Sequence, residues 1–286
     1  MFPVPKATAE PLPVAPDVQS FVTAIYIVAY AGGTCWDGEQ YFQAMKAYCL
    51  RPEEPVPTEA VLAMLVLFKR SVQNFPEART RIFRKAREFM LPFGGMMRNS
   101  KVLDAYLGMC KSAGEYKHAL QTFQRTISRY SMVEDESLQS THLSVLIFND
   151  QFAEAMAQFR LIKRPSRLAV NAMLEGCRRD GLVKECVELF DAFHEFHTLV
   201  PNIHSLEHAV KCVIGAKNKP FGSIGPEERV EALQKVLEIA WTREKKIFLQ
   251  FGRFMPEVAE FCVKFGMQNE KLHEILVLIQ QMQTDQ

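Results

Sequence analysis

The chain has 286 residues, 48% of them apolar, and a formal net charge of +1. It can therefore bury a sizeable core, yet it is too neutral for a free-standing protein that lives by gripping phosphate, which is usually distinctly basic. The seven cysteines form no Cys-x-x-Cys pair and read as reduced, buried small hydrophobes rather than a disulfide framework. The longest apolar runs, such as VLAMLVLF at 61–68, are too short to span a bilayer. Sustained alternation is missing, so the pattern is that of an all-α protein.

In chain order, residues 1–17 form a Pro-rich arm with no core of its own. The arm lacks the Arg-rich amphipathic character of a mitochondrial presequence. Residues 18–286 read as a single helical-repeat domain. The Asp37-Gly38 pair is expected at a helix border. Residues 1–60 carry three cations against seven carboxylates, and residues 61–101 carry nine against two. The segment EARTRIFRKAREF (77–89) concentrates five of these cations. On a helix Arg81, Arg84 and Lys85 share one face, a candidate contact to phosphates; the competing reading is a solvated helix face.

From residue 99 the helices become periodic. A small residue followed four later by an aromatic occurs as Ala119/Phe123, Ala155/Phe159 and Cys186/Phe190, at steps of 36 and 31 residues. That is the period of stacked helical hairpins. NFPEARTRIF, with Ala78 and Ile82, reads as a further copy. The small residue lets paired helices approach, and the aromatic fills the adjacent groove. Gly114, Asp150 and Gly181 are expected at equivalent hairpin turns. In the clearest unit, Leu168, Val170, Met173, Leu174 and Cys177 mark one apolar helix face, and Val183, Cys186, Val187, Leu189, Phe190 and Phe193 the next. Further helices are expected near 203–214, 226–243 and 254–281, with an insertion from Gly215 to Pro226. The Phe-rich end (Phe248, Phe251, Phe254, Phe261, Phe265) reads as core or a docking face. The fold expected is an α-solenoid of about six or seven helix–turn–helix repeats.

Catalytic signatures are poor: there is no Gly-rich phosphate loop, Gly-x-Ser-x-Gly elbow or His-Glu-x-x-His. His204, His208 and Cys212 recur every four residues and stack on one side of a helix. With His194 or His197 they make a conceivable zinc set. The plainer reading is a packing stripe edged by histidines, beside Phe196 and Leu199. No metal and no cofactor is expected.

The fragment NAMLEGCRRDGLVKECVELFDAF resembles a pentatricopeptide repeat through Asn171, Met173, Leu174, Gly176, Gly181, Glu185, Leu189 and Phe190. LDAYLGMCKSAGEYKHALQTF resembles it through Leu107, Cys110, Lys111, Gly114, Ala119, Leu120 and Phe123. The copy at 136–164 departs from the pattern, with Asp150 where Gly is usual. The resemblance covers residues 99–210. A tetratricopeptide repeat, a protein-binding cousin, stays open as the alternative. The pentatricopeptide family reads bases with two residues per repeat, which fall here on Asp104/Asp135, Ser140/Ser166 and Asn171/Asn202. Only Asn171/Asn202 resembles a pair the family uses. The next repeat would place Glu207 first, which suits no base.

The resemblance thus implies a non-enzymatic helical-repeat protein in a mitochondrion. It would be a structural or assembly subunit of a mitochondrial ribosome or RNA-processing ribonucleoprotein, with weak or non-sequence-specific RNA contact. No small-molecule substrate and no membrane span are implied. The RNA-contact candidates are Asn171, Asn202, Arg81, Arg84 and Lys85. The alternative function is a protein–protein scaffold without RNA.

Overall fold

The computed structural model describes residues 15–131, 135–194, 199–215, 225–243, 245–247, 255–264 and 277. Among them every regular element is a helix, and no helix is long and apolar enough to cross a membrane. The chain divides into two compact units, Met1–Val133 and Glu134–Gln286. The first contains α1 (Val18–Tyr30), α2 (Cys35–Cys49), α3 (Thr58–Asn74), α4 (Arg79–Met90), α5 (Ser100–Ser112) and α6 (Tyr116–Tyr130). The second contains α7 (Glu136–Phe148), α8 (Phe152–Leu161), α9 (Arg167–Asp180), α10 (Val183–Asp191), α11 (Ile203–Ile214), α12 (Pro226–Arg243) and α13 (Met255–Lys264). Residues 1–14 of the arm, 216–224 of the insertion, and Phe248, Phe251, Phe254 and Phe265 lie outside the described residues.

The helices start and stop where local chemistry dictates. Asp17, Thr34, Asn99, Asp135, Ser166 and Asn202 each cap a helix by accepting a backbone N–H, an interaction worth about 1 kcal/mol. Three hairpins turn identically. Gly114, Asp150 and Gly181 adopt left-handed φ values of 76°, 60° and 74°. Past each, the next N–H reaches back five residues: Glu115 to Cys110, Gln151 to Leu146 and Leu182 to Cys177, at 2.9–3.0 Å. This satisfies carbonyls that a helix end would otherwise strand.

The fourth residue of each second helix then settles the packing. Ala119, Ala155 and Cys186 all occupy it, and all are fully buried. Phe123, Phe159 and Phe190 follow one turn later, also buried. The same pair occurs unannounced in α2 as Gly38/Phe42. The Asp37-Gly38 pair lies in the first turn of α2, where Asp37 closes a capping box with Thr34 and an added Cβ on Gly38 would run into the Leu67 side chain of α3. In α4 the expected copy is shifted. Ala78 falls in a 3-10 turn, Pro76–Ala78, and Ile82 takes the buried fourth position with Ala86 one turn on. In α12 that position holds a buried arginine, Arg229, whose Nη1 donates to the Val213 carbonyl at the end of α11. A cation there faces the negative end of the α11 dipole.

In the first unit α3 packs against α1 and α5, and each of these first helices is backed by its partner, α2, α4 or α6. In the second, α9 likewise packs against α7 and α11, backed by α8, α10 and α12. α3 buries nine residues from Ala60 to Val72, and Phe42, Phe68, Phe89 and Phe93 form an aromatic cluster of edge-on and tilted rings with centroids 5.0–6.1 Å apart. On α9, Gly176 admits the Phe152 ring of α8, which an added Cβ would meet at 2.7 Å. Leu168 departs from the expected apolar face. It is 62% exposed, while Val170, Met173, Leu174 and Cys177 are fully buried.

Two stability outcomes follow from this packing. Ala155→Leu should overpack the α7–α8 hairpin and cost roughly 1–3 kcal/mol, measured as a lower urea midpoint at unchanged slope. Asp150→Gly should act in the opposite direction. It relieves a left-handed residue costing about 1–2 kcal/mol, offset in part by the extra backbone freedom of glycine and by an exposed ion pair to Arg179. The net gain should be a few tenths to about 1 kcal/mol, and a fall in midpoint would contradict the turn geometry.

Candidate nucleic-acid interface

Within the second unit, two residue pairs named from the sequence meet in space. Ser140, the fifth residue of α7, lies 3.1 Å from Ser166, the N-cap of α9 (Oγ to Oγ). Asn171, the fifth residue of α9, donates through Nδ2 to Oδ1 of Asn202, the N-cap of α11, at 3.4 Å. In both, a fifth residue sits beside the cap of the next first helix, so the pair joins neighbouring hairpins of the second unit. Ser205 is drawn into the second pair. Its Oγ lies 2.7 Å from Asn171 Oδ1 and 2.9 Å from Asn202 Oδ1, and its single proton can serve either. Both asparagine oxygens are therefore engaged inside the protein. Asp104 lies on α5 and Asp135 caps α7, in different units. Glu207 is held by Lys211 at 2.8 Å.

The basic face of α4 is divided among separate surroundings. Arg81 lies over the Trp36 ring at 4.9 Å, and Lys85 pairs with Glu39; both partners belong to α2. The cation–π contact and the half-buried ion pair hold α4 against α2. Arg84 instead lines a groove with Arg87, between α4, the 3-10 segment Leu91–Arg98, α5 and α6. Within it the Tyr106 hydroxyl lies 2.9 Å from His118 Nε2, and Thr122 Oγ1 lies 3.4 Å from the same nitrogen. Burial holds the His118 pKa below the usual imidazole range, reinforced by the charge of Arg87. It also raises the Tyr106 hydroxyl and pushes the neighbouring Cys110 thiol up to about 12. The groove therefore presents neutral hydrogen-bonding groups at its floor and guanidiniums at its rim. Sequence reasoning missed Arg87, Tyr106, His118 and Thr122. The available signal was the His118/Thr122 pair, i and i+4, beside the Ala119/Phe123 core stripe.

The histidine stripe is spread apart in burial. His204 is exposed and faces Glu207 at 3.6 Å, while Cys212 is buried with its thiol toward the Leu182 carbonyl. His208 Nδ1 is buried without a protein hydrogen-bond partner, and burial lowers its pKa. Among the described residues no group of three or more His, Cys, Asp or Glu side chains could hold a metal ion. His197 and the His194 side chain lie outside the described residues. Cys177, Cys186 and Cys212 instead pack together as free thiols, and hydrogen bonds to the other two, then burial, push the Cys186 thiol well above its ordinary range. Neither a family model nor a curated protein matches this chain.

The two half-buried imidazoles, His118 and His208, set an acid limit on stability. Their folded pKa values lie below the ordinary 6.5, so below that pH the unfolded chain binds more protons than the folded one. Stability should be constant above about pH 6.5 with respect to these groups. It should fall as pH drops from there toward their lowered values, then level off. Urea midpoints at about pH 7.5 and about pH 5.5 should show the loss in the wild type. His118→Gln/His208→Gln should flatten it; an equal slope in the double variant would assign the loss to other groups.

Proposed function

We propose that this protein is a non-enzymatic helical-repeat subunit of a ribonucleoprotein, built on an α-solenoid of the pentatricopeptide kind. The observation that carries the reading is the shared construction of the α5–α6, α7–α8 and α9–α10 hairpins, together with the fifth-residue-to-cap bonds from Ser140 and Asn171. Those bonds fall on the two positions per repeat at which the resembled family meets a strand. In this reading the chain works in a mitochondrion as a structural or assembly component, in a ribosome or an RNA-processing complex. It contacts RNA weakly and without sequence specificity.

Charge and the paired positions favour architecture over sequence reading. A net charge of +1 supplies little general attraction for phosphate. A solenoid of this kind reads about one base per repeat, and one plausible pair, Asn171/Asn202, cannot select a transcript when a good base contact is worth about 1–3 kcal/mol. A protein scaffold of the tetratricopeptide kind is the second reading. The specific observation in its favour is Ser205, which engages the side-chain oxygens of both Asn171 and Asn202.

Selection of the full chain against a randomised single-stranded RNA pool should return low affinity and no consensus. A tight consensus of several nucleotides would overturn the architectural reading. Co-purification with large complexes, before and after RNase, separates the remaining two. Loss of partners assigns the attachment to RNA, and full retention with no RNA binding in solution assigns the protein to the scaffold class.

A further inference from the structure

The groove between α4, α5 and α6 is built from side chains other than those that join α7, α9 and α11, and its chemistry points to a ligand of its own. It holds about 450 Å³, within the roughly 300–1,000 Å³ of small-molecule sites. Its lining is divided. Arg84 and Arg87, one turn apart on α4, bring two exposed guanidiniums to one side. Met90, Met97 and Leu91 form an apolar wall, with Leu91 78% exposed at the mouth. At the floor, His118 Nε2 is met by the Tyr106 and Thr122 hydroxyls, which leaves the Thr122 oxygen as the hydrogen-bonding atom for a ligand. Glu88 also lines the groove and opposes one of the two positive charges. An inorganic anion would satisfy the arginines and leave the apolar wall wet. A purely apolar ligand would strip water from the guanidiniums and return no counter-charge. A phosphate attached to a flat ring with a polar edge satisfies all three surfaces.

We propose that this groove binds a nucleoside monophosphate unit, its phosphate on Arg84 and Arg87, its base against Leu91 and the edges of Met90 and Met97, and its polar edge at Thr122. Guanidiniums match phosphate oxygens in a bidentate fork, and the apolar wall supplies the area that an isolated phosphate lacks. The unit is either a free nucleotide or one residue of a single strand. In the second case the site rests on the RNA reading above and gives the strand a contact separate from Asn171 and Asn202.

The experiment is calorimetric titration of the full chain with uridine and adenosine monophosphates, inorganic phosphate and a short single-stranded RNA. The variants are Arg84→Glu/Arg87→Glu, Thr122→Val and Glu88→Gln, each checked for unchanged helicity and melting. The wild type should bind a nucleotide at least about tenfold more tightly than phosphate. The double charge reversal should weaken nucleotide binding by at least about tenfold, the scale of a lost charged hydrogen bond. Glu88→Gln should tighten it, and Thr122→Val should reduce the preference for nucleotide over phosphate. RNA affinity that falls with the double variant assigns the source to a strand, while RNA affinity that survives it assigns the source to free nucleotide. Nucleotide bound no better than phosphate would reduce the groove to a cationic patch and overturn the proposal. So would nucleotide binding indifferent to Arg84 and Arg87, or no nucleotide binding at all. RNA binding retained with no nucleotide binding would overturn the groove alone and leave the RNA reading standing.

Discussion

Close approach at the small fourth residue of α2, α6, α8 and α10 is the constraint on which much of this protein depends. A hairpin of about thirty residues cannot bury both of its apolar faces alone, so it must meet its neighbours at short range. Ala119, Ala155 and Cys186 make that possible by being small and wholly buried. Gly38 carries the same logic to its limit, because Leu67 occupies the space a Cβ would need. The aromatic residue one turn later then fills the gap that the small residue opens. Burying such a ring is worth about 1.5–3 kcal/mol, against about 1 kcal/mol for a helix cap. Packing therefore holds the hairpins, and the caps mainly define where each helix begins.

The turns make the repetition possible. Each must reverse the chain at the same place relative to the small residue, or the fourth position would rotate away from the core. Gly114 and Gly181 do this without steric cost, and Asp150 does it at some strain. The polar bonds between first helices depend on the same register. With the turns equivalent, the fifth residue of one first helix falls beside the cap of the next. The same short polar side chain can then cap a helix and hold its neighbour, as Ser166 and Asn202 do.

This dual use ties up the polar groups between first helices, and Ser205 shares the oxygens of Asn171 and Asn202. The basic helix behaves similarly. Arg81 and Lys85 contribute to the α2–α4 contact, while Arg84 and Arg87 turn toward a groove with a floor of neutral donors and acceptors. The charge excess of residues 61–101 is therefore several local arrangements rather than one uniform cationic face.

Much of the architecture was legible in the sequence alone. The all-helical character, the hairpin turns at Gly114, Asp150 and Gly181, and the buried Ala119, Ala155 and Cys186 all follow from local patterns: apolar periodicity, turn residues and caps act over a few residues, so neighbouring letters encode them. The positions Asn171 and Asn202 came from the family resemblance, and the hydrogen bond between them was seen only in the structure. What lay out of reach needs contacts between distant residues. Gly38 reads only as a helix start, and its close approach to Leu67 has no local signal. Leu168 reads as core until α9 is oriented among its neighbours. The fate of the α4 cations depends on Trp36 and Glu39, more than forty residues away in the chain. The groove of Arg84, Arg87, Tyr106, His118 and Thr122 draws on three helices and carries no sequence periodicity. Tertiary packing alone decided which side chains share it, because a surface assembled across helices depends on their relative placement rather than on the propensity of any one of them.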